Sequence, residues 1–387
     1  MRMRPVAFIT LCALACCAAA SAWPSQAPSR VAHYEYVAST GTLYVYNIDK
    51  LPALVGRFPL PGVDEIRGIG ASAATGMLYI SYGGFPNGTG HLLEFSLNRR
   101  KIVYSRGYPF GIDSFDISHD GQLIFMPTGE NTSGDTWHVL AAATGTVVGT
   151  IAAGRAPHDT VVGANGQHVF LGGASAPYLY EADATRPWKI VGRIGPLEPA
   201  LIRGIRPFTI NAQDTLAFTT GDRYLGFQVS DIATGRVLYT VPVPGFNMPP
   251  TYTGLEASHG IGLSPDQRFL WLLDEPNHAV HEFDISGLPR KAPVLVATVH
   301  VAGAPAGLNG GDPDWLNLSR DGRYVFVGDS GTVIDTTTRK PVATISALIG
   351  SRYNIEVDWS GPRVCAAYPR ASLGYLHVTP QCSDQTG

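Results

Sequence analysis

This chain is poor in charge. Asp, Glu, Lys and Arg make up 15% of its 387 residues, and the 28 basic and 31 acidic side chains form no extended run of either sign. A formal net charge of −3 without a basic stripe excludes the electrostatic footprint of a nucleic-acid binder. Long apolar stretches are missing too. The one candidate, residues 6–20, is too short for a confident membrane span. Helical 3.6-residue periodicity is absent, which excludes a helical repeat. No G-x-S-x-G elbow, Walker loop, H-E-x-x-H or Cys/His metal pair occurs, so no motif assigns a nucleophile or a cofactor. Gly68-Ile69-Gly70 is too short for a dinucleotide fingerprint and precedes a hairpin instead of a helix.

Cysteine is sparse and unevenly placed. Cys12, Cys16 and Cys17 fall in an N-terminal stretch where Arg2 and Arg4 precede the apolar run and Ala20-Ser21-Ala22 offers small residues for cleavage. That pattern reads as an export signal over residues 1–22, followed by a linker at 23–31. A secreted or periplasmic location follows, and export permits a Cys365–Cys382 disulfide. Sequons occur at Asn87, Asn131 and Asn317, the last inside an expected buried strand.

What is present is a repeat. Residues 314–331 read D-W-L-N-L-S-R-D-G-R-Y-V-F-V-G-D-S-G: strand, tight Asp321-Gly322 turn, strand, glycine turn. Relatives stand at 113–129, 158–173, 206–221 and 259–276, with looser copies at 67–84 and 353–369. The turn glycines Gly76, Gly121 and Gly166 are spaced 45 and 45, and Asp214, Asp266, Gly322 and Gly361 continue the series. Four-stranded propeller blades repeat at about this period. One complete unit shows strands at 115–118, 122–127, 137–142 and 147–152. Third strands end in Asp-x-x-Thr turns such as 231–234 and 335–338, where Asp and Thr bond local backbone.

The expected fold is therefore all-β: a seven-bladed β-propeller with four-stranded antiparallel blades over residues 32–369, and a tail at 370–387. The last blade is closed by strands from both chain ends, with 353–369 giving its first two strands and 42–48 and 53–60 its third and fourth. Residues 33–38 form a further strand candidate without an assigned place. Closure removes edges that would otherwise invite aggregation. The Asp-Gly hairpins, Asp-x-x-Thr turns and export signal together resemble the bacterial YVTN-type β-propeller repeat proteins, the nearest form of the eponymous run being Tyr324-Val325-Phe326-Val327. At fold level the chain is also similar to the large subunits of periplasmic amine dehydrogenases. The resemblance implies an exported, disc-shaped binding protein and supplies no catalytic residues.

The repeat itself locates a site. Counting back seven from the residue before each turn glycine, or its equivalent, gives Asp113, His158, Arg206, His259 and Asp314, flanked by Arg67 (one residue out of register) and Tyr353. This position opens the innermost strand, so all seven side chains should converge on one mouth of the central channel. Below them, Phe115, Thr160, Phe208, Ile261, Leu316 and Ile355 form a packing layer, and Ile117, Val162, Ile210, Leu263, Leu318 and Val357 a second. Polar groups above an apolar wall make a binding site. The same ring is equally readable as structural charge pairing. The histidines and aspartates are acceptable metal ligands, whereas Arg67 and Arg206 favour an anion. Loops 195–205, 245–258 and 303–312 should cover this mouth. His138, His168, His278 and His281 are expected in solvent, and Trp137, Trp188 and Trp271 between blades.

The leading functional expectation is a monomeric binding protein with a small-molecule or anion site and no catalysis of its own. The alternatives are a lactonase or lyase, possibly metal-assisted, and a scaffold for a protein partner such as a dehydrogenase. If the ring binds ligand, Arg206→Ala should weaken binding while leaving melting nearly unchanged.

Overall fold

A computed structural model describes residues 31–84, 89–197, 204–305 and 313–369, together with positions 373 and 382. The stretch read as an export signal, the Asn87 sequon and most of the tail lie outside them. The described residues form seven antiparallel sheets and no helix. Blades 1 to 6 have four strands each and span 66–108, 116–152, 157–194, 205–242, 261–300 and 316–349. The first strands of successive blades touch one another around a central channel, and Asn317 donates to the Asn354 carbonyl across the seam between the last two. This is the seven-bladed propeller expected from the repeat.

Local chemistry explains the blades. In five of the first hairpins the turn closes with an i→i+3 bond, as from Gly121 to Ser118 and from Gly322 to Ser319, and the turn residue has positive φ. Asp214 (φ 51°) and Gln267 (φ 58°) replace glycine in two of them. The Asp-x-x-Thr turns work as expected: Asp231 accepts from both the N–H and the hydroxyl of Thr234 at 2.7 Å. Every blade also carries a β-bulge between its third and fourth strands, for example at Val139/Leu140 and Val229/Ser230. A bulge increases twist, and its repetition gives each sheet its propeller pitch.

Blade 7 departs from expectation. Its sheet has five strands in the order Arg363–Ala367, Tyr353–Ser360, Val31–Ser39, Thr42–Asn47, Ala53–Pro59. The N-terminal strand Val31–Ser39 occupies the second place, inserted between a C-terminal first strand and the N-terminal third strand. The segment expected in that place, Arg363–Ala367, pairs with the opposite edge of Tyr353–Ser360. The cause is length. Val31–Ser39 pairs over eight residues, whereas the hairpin at Gly361 pairs over four positions interrupted by a bulge.

Apolar clusters sit between neighbouring blades, and both packing layers are buried throughout. Gly68 and Gly70 are small because Phe115 of the next blade lies against them: a Cβ on Gly70 would stand 2.9 Å from its ring. Trp137 and Trp271 are buried, as is Trp188. His281 is a correction. It is fully buried against Asp274 (3.0 Å) and Thr298 (2.9 Å), because its strand Ala279–Asp284 is covered on both faces. His138 and His278 are half-buried, and His168 pairs with Glu181. Asn317 is buried as expected. Cys365 and Cys382 are bonded, with Cα atoms 5.1 Å apart, and pack against Val31.

Candidate functional site

Arg67, Asp113, His158, Arg206, His259, Asp314 and Tyr353 all line one cavity of about 550 Å³ at one end of the channel. The backbone aims three of them. First-to-second strand pairing is interrupted by a bulge at Arg67, at His158 and at Arg206, so each side chain leaves the ladder at the same place in its blade. This also resolves the register of Arg67. The turn of blade 1 closes with an i→i+4 bond from Gly76 to Ser72, so its glycine falls one place later. Counted from strand pairing, Arg67 is in line with His158.

Around the cavity the charges are cross-bonded. On one side, Asp113 Oδ2 accepts from Arg67 (3.0 Å) and the Glu130 N–H (3.2 Å) and lies 3.1 Å from His158 Nδ1. Glu130 bridges Arg67 (2.8 Å) to Arg206, and Arg206 also holds Asp222 (2.5 Å) and Glu256 (2.8 Å). On the other side, His259 Nδ1 lies 2.5 Å from Asp314 Oδ1, and Arg352 joins Asp314 to Asp329. Glu275 accepts from the His259 N–H (2.9 Å) and the Tyr252 hydroxyl (3.2 Å). The imidazoles of His158 and His259 face one another with centroids 5.7 Å apart, and Trp315 lies edge-on to His259. His158 Nε2 is buried with no hydrogen-bond partner among the described residues.

Burial alone would raise the Asp113 carboxyl, but Arg67 and His158 hold it below the ordinary carboxylate range. Asp314 is held low in the same way by Arg352 and His259, against burial. His158 moves up: Asp113 and Glu130 outweigh the effect of its burial. Glu275 is pushed well above the carboxylate range by burial, then by Asp314 and Glu256.

Half of this network escaped the repeat analysis. Glu130, Asp222, Glu275 and Asp329 each stand just beyond a second strand and form an acidic column opposite the ring. Four acids at equivalent places after Pro127, Gly221, Asp274 and Val327 were a usable signal. Arg352 precedes Tyr353 by one residue. Of the three long loops, 245–258 contributes Tyr252, Gly254 and Glu256 to the cavity. The described residues of 195–205 and 303–312 do not line it, and the remainder of both loops lies outside the described residues.

Two sets of donor atoms could hold a cation here, Asp113/Glu130/His158 and His259/Glu275/Asp314. The carboxylates of the first already hold Arg67 and Arg206, which compete with a metal. All three guanidiniums at the mouth are engaged with carboxylates, so an anion drawn to Arg67 or Arg206 would compete with those acids for them. What the arrangement can do is present two neighbouring carboxylate-oriented imidazoles and a buried acid to a polar molecule in the cavity.

No family model and no curated protein sequence matches the chain. Solved structures do resemble it. The periplasmic gluconolactonase of Pseudomonas aeruginosa superposes with a TM-score of 0.65 at 17% identity, over 84% of this chain and 99% of that one. A functionally unknown protein from Desulfotomaculum acetoxidans gives 0.64 at 13% identity, over 83% and 98%. The dihydro-heme d1 dehydrogenase NirN, solved in complex with DHE, gives 0.55 at 12% identity, over 87% and 73%. At these identities the likeness establishes the β-propeller fold alone.

Proposed function

We propose that this chain is an exported β-propeller of the YVTN-type kind that binds a small, uncharged, polyhydroxylated molecule in the cavity at the channel mouth. The carrying observation is the pair of facing imidazoles, each oriented by an aspartate, with His158 Nε2 buried and unbonded inside a cavity whose guanidiniums are already neutralised. A hydroxyl group can accept from an imidazole that Asp113 and Glu130 keep protonated and donate to the surrounding carboxylates, without adding a charge to them. The ring residues Arg67, Asp113, His158, Arg206, His259, Asp314 and Tyr353 form the wall of this site. A thermal-shift screen over sugars, polyols, lactones, amines and organic anions tests it. The expected hits are neutral polyols or lactones, weakened at least tenfold in titration calorimetry by Tyr252→Phe or His259→Gln. Selective hits among organic anions, or affinities unchanged in both variants, would overturn it.

A second reading is hydrolysis of a lactone. Its support is that each Asp–His pair fixes the ring nitrogen opposite the aspartate, as a general base requires, and that one structural neighbour is a gluconolactonase. It predicts that His158→Gln lowers the rate of glucono-lactone opening about 100-fold or more. A rate in wild-type protein equal to the spontaneous one removes this reading and leaves the binding site standing.

A further inference from the structure

A second buried acidic cluster lies away from the mouth, in blade 7, where strand Val31–Ser39 pairs with strand Tyr353–Ser360. In that register His33 is opposite Asp358 and Glu35 is opposite Glu356. Directly opposed residues project from the same face of a sheet, so four donor side chains from the two ends of the chain share one face, and the donor atoms of His33, Glu356 and Asp358 cluster there. Each C-terminal carboxylate is anchored through one oxygen. Asp358 Oδ2 accepts from the Tyr368 hydroxyl (3.2 Å) and Arg320 (3.3 Å), and Glu356 Oε2 accepts from the Arg320 backbone N–H (2.6 Å). Their other oxygens turn to His33: Nδ1 stands 2.7 Å from Asp358 Oδ1 and 3.4 Å from Glu356 Oε1. Glu35 is fully buried, and neither of its carboxylate oxygens has a hydrogen-bond partner among the described residues.

A buried carboxylate without a partner is among the least favourable arrangements in a protein interior, and pairing or coordination to a metal is what normally relieves it. Three carboxylates here meet one guanidinium and one imidazole. We propose that His33, Glu35, Glu356 and Asp358 bind one first-row divalent cation of the Zn²⁺ or Mn²⁺ kind, which ties the N-terminal strand to the C-terminal one. Donors about 2.1 Å from a single ion stand about 3–3.4 Å apart, close to the spacings around His33 Nδ1, and the donor atoms of His33, Glu356 and Asp358 all lie within 4.8 Å of one another. One imidazole among carboxylates suits these ions, whereas Ca²⁺ takes oxygen ligands. The bonds from Arg320 and Tyr368 to the outer oxygens hold the ligands in place, as outer partners do in metal sites. His33 is 26% exposed, which leaves an entry for the ion.

The test uses the full mature chain, analysed for metal as purified without chelator, then stripped and titrated with Zn²⁺ or Mn²⁺ alone. The expected result is one ion bound per chain, proton release on binding and a raised Tm. Affinity should fall at least tenfold in Glu35→Gln and in Asp358→Asn and stay unchanged in Glu275→Gln, which reports on the mouth. Glu35→Gln carries the test if Asp358→Asn fails to fold, because it removes no hydrogen bond seen here. No uptake, or uptake that survives Glu35→Gln and disappears in Glu275→Gln, overturns the proposal. In the first case a proton shared between His33 and the acids takes the place of the metal. In the second the ion belongs to the channel mouth.

Discussion

The channel mouth and the seam of blade 7 are built from the same parts, histidines and buried carboxylates, yet their charges are balanced differently. At the mouth Arg67, Arg206 and Arg352 each bridge two or more acids, and Asp113 and Asp314 are held below the ordinary carboxylate range. At the seam three acids stand near one guanidinium, that of Arg320, which pairs with Asp358. Burial pushes Glu35 well above that range, and Glu356 up to about 7. Multiple guanidinium forks fix a lining before any ligand arrives. A carboxylate left without one is where a proton or a cation must enter. Glu275 shows that the mouth keeps one such acid, beside His259 and Tyr252, and that is where a ligand donor would dock.

The largest expected effect comes from breaking the balanced side. Arg206 is 5% exposed and holds Glu130, Asp222 and Glu256. Removing one partner of a buried charge network strands the others, at a cost of about 3–5 kcal/mol. Arg206→Ala should therefore unfold at markedly lower urea concentration, which reverses the expectation from sequence that melting would be nearly unchanged. An unchanged midpoint would mean the three acids take up protons or water without penalty. The unbalanced side should respond in the opposite sense. In metal-free protein at pH 8, Glu35→Gln should be more stable than wild type by about 1 kcal/mol, since it removes a desolvated acid. The gain should shrink towards pH 5: a carboxyl raised in the folded state loses stability as pH climbs above its unfolded value. A loss of stability at pH 8 would mean Glu35 has a partner in solution.

Much of the fold was legible because its signals are local. Asp-Gly and Asn-Gly turns and alternating inner strands recur at fixed offsets, and the same offsets place the ring from Asp113 to Asp314 on one mouth. The acidic column was harder to see because the step beyond the second strand varies: Glu130 follows Pro127 by three residues, Asp222 follows Gly221 by one, and Asp329 follows Val327 by two. Blade 7 was misordered because Gly361 signals a hairpin between 353–360 and 363–367, while the longer pairing runs to a strand some three hundred residues away. No local pattern reports that choice. His281 was misplaced for the converse reason. Propeller third strands are covered on both faces, so polar spelling does not mean exposure there.

A further prediction separates the two histidine clusters by pH. His158 is raised above the ordinary histidine value, with burial opposing Asp113 and Glu130, and His33 is raised to about 10 through its hydrogen bonds to Asp358 and Glu356. A histidine raised on folding contributes stability that is complete below about pH 6.5 and is lost as pH rises through its folded value. Metal-free protein should therefore lose Tm progressively from about pH 6.5 upwards. His33→Gln should remove the part of that slope that extends towards pH 10, and His158→Gln should flatten a separate component. Saturating Zn²⁺ should abolish the His33 component and leave the His158 component in place, because an imidazole bound to metal no longer takes up a proton. If Zn²⁺ instead removed the His158 component, the cation would be sitting among the ring residues, and the contrast between a balanced mouth and an unbalanced seam would have to be inverted.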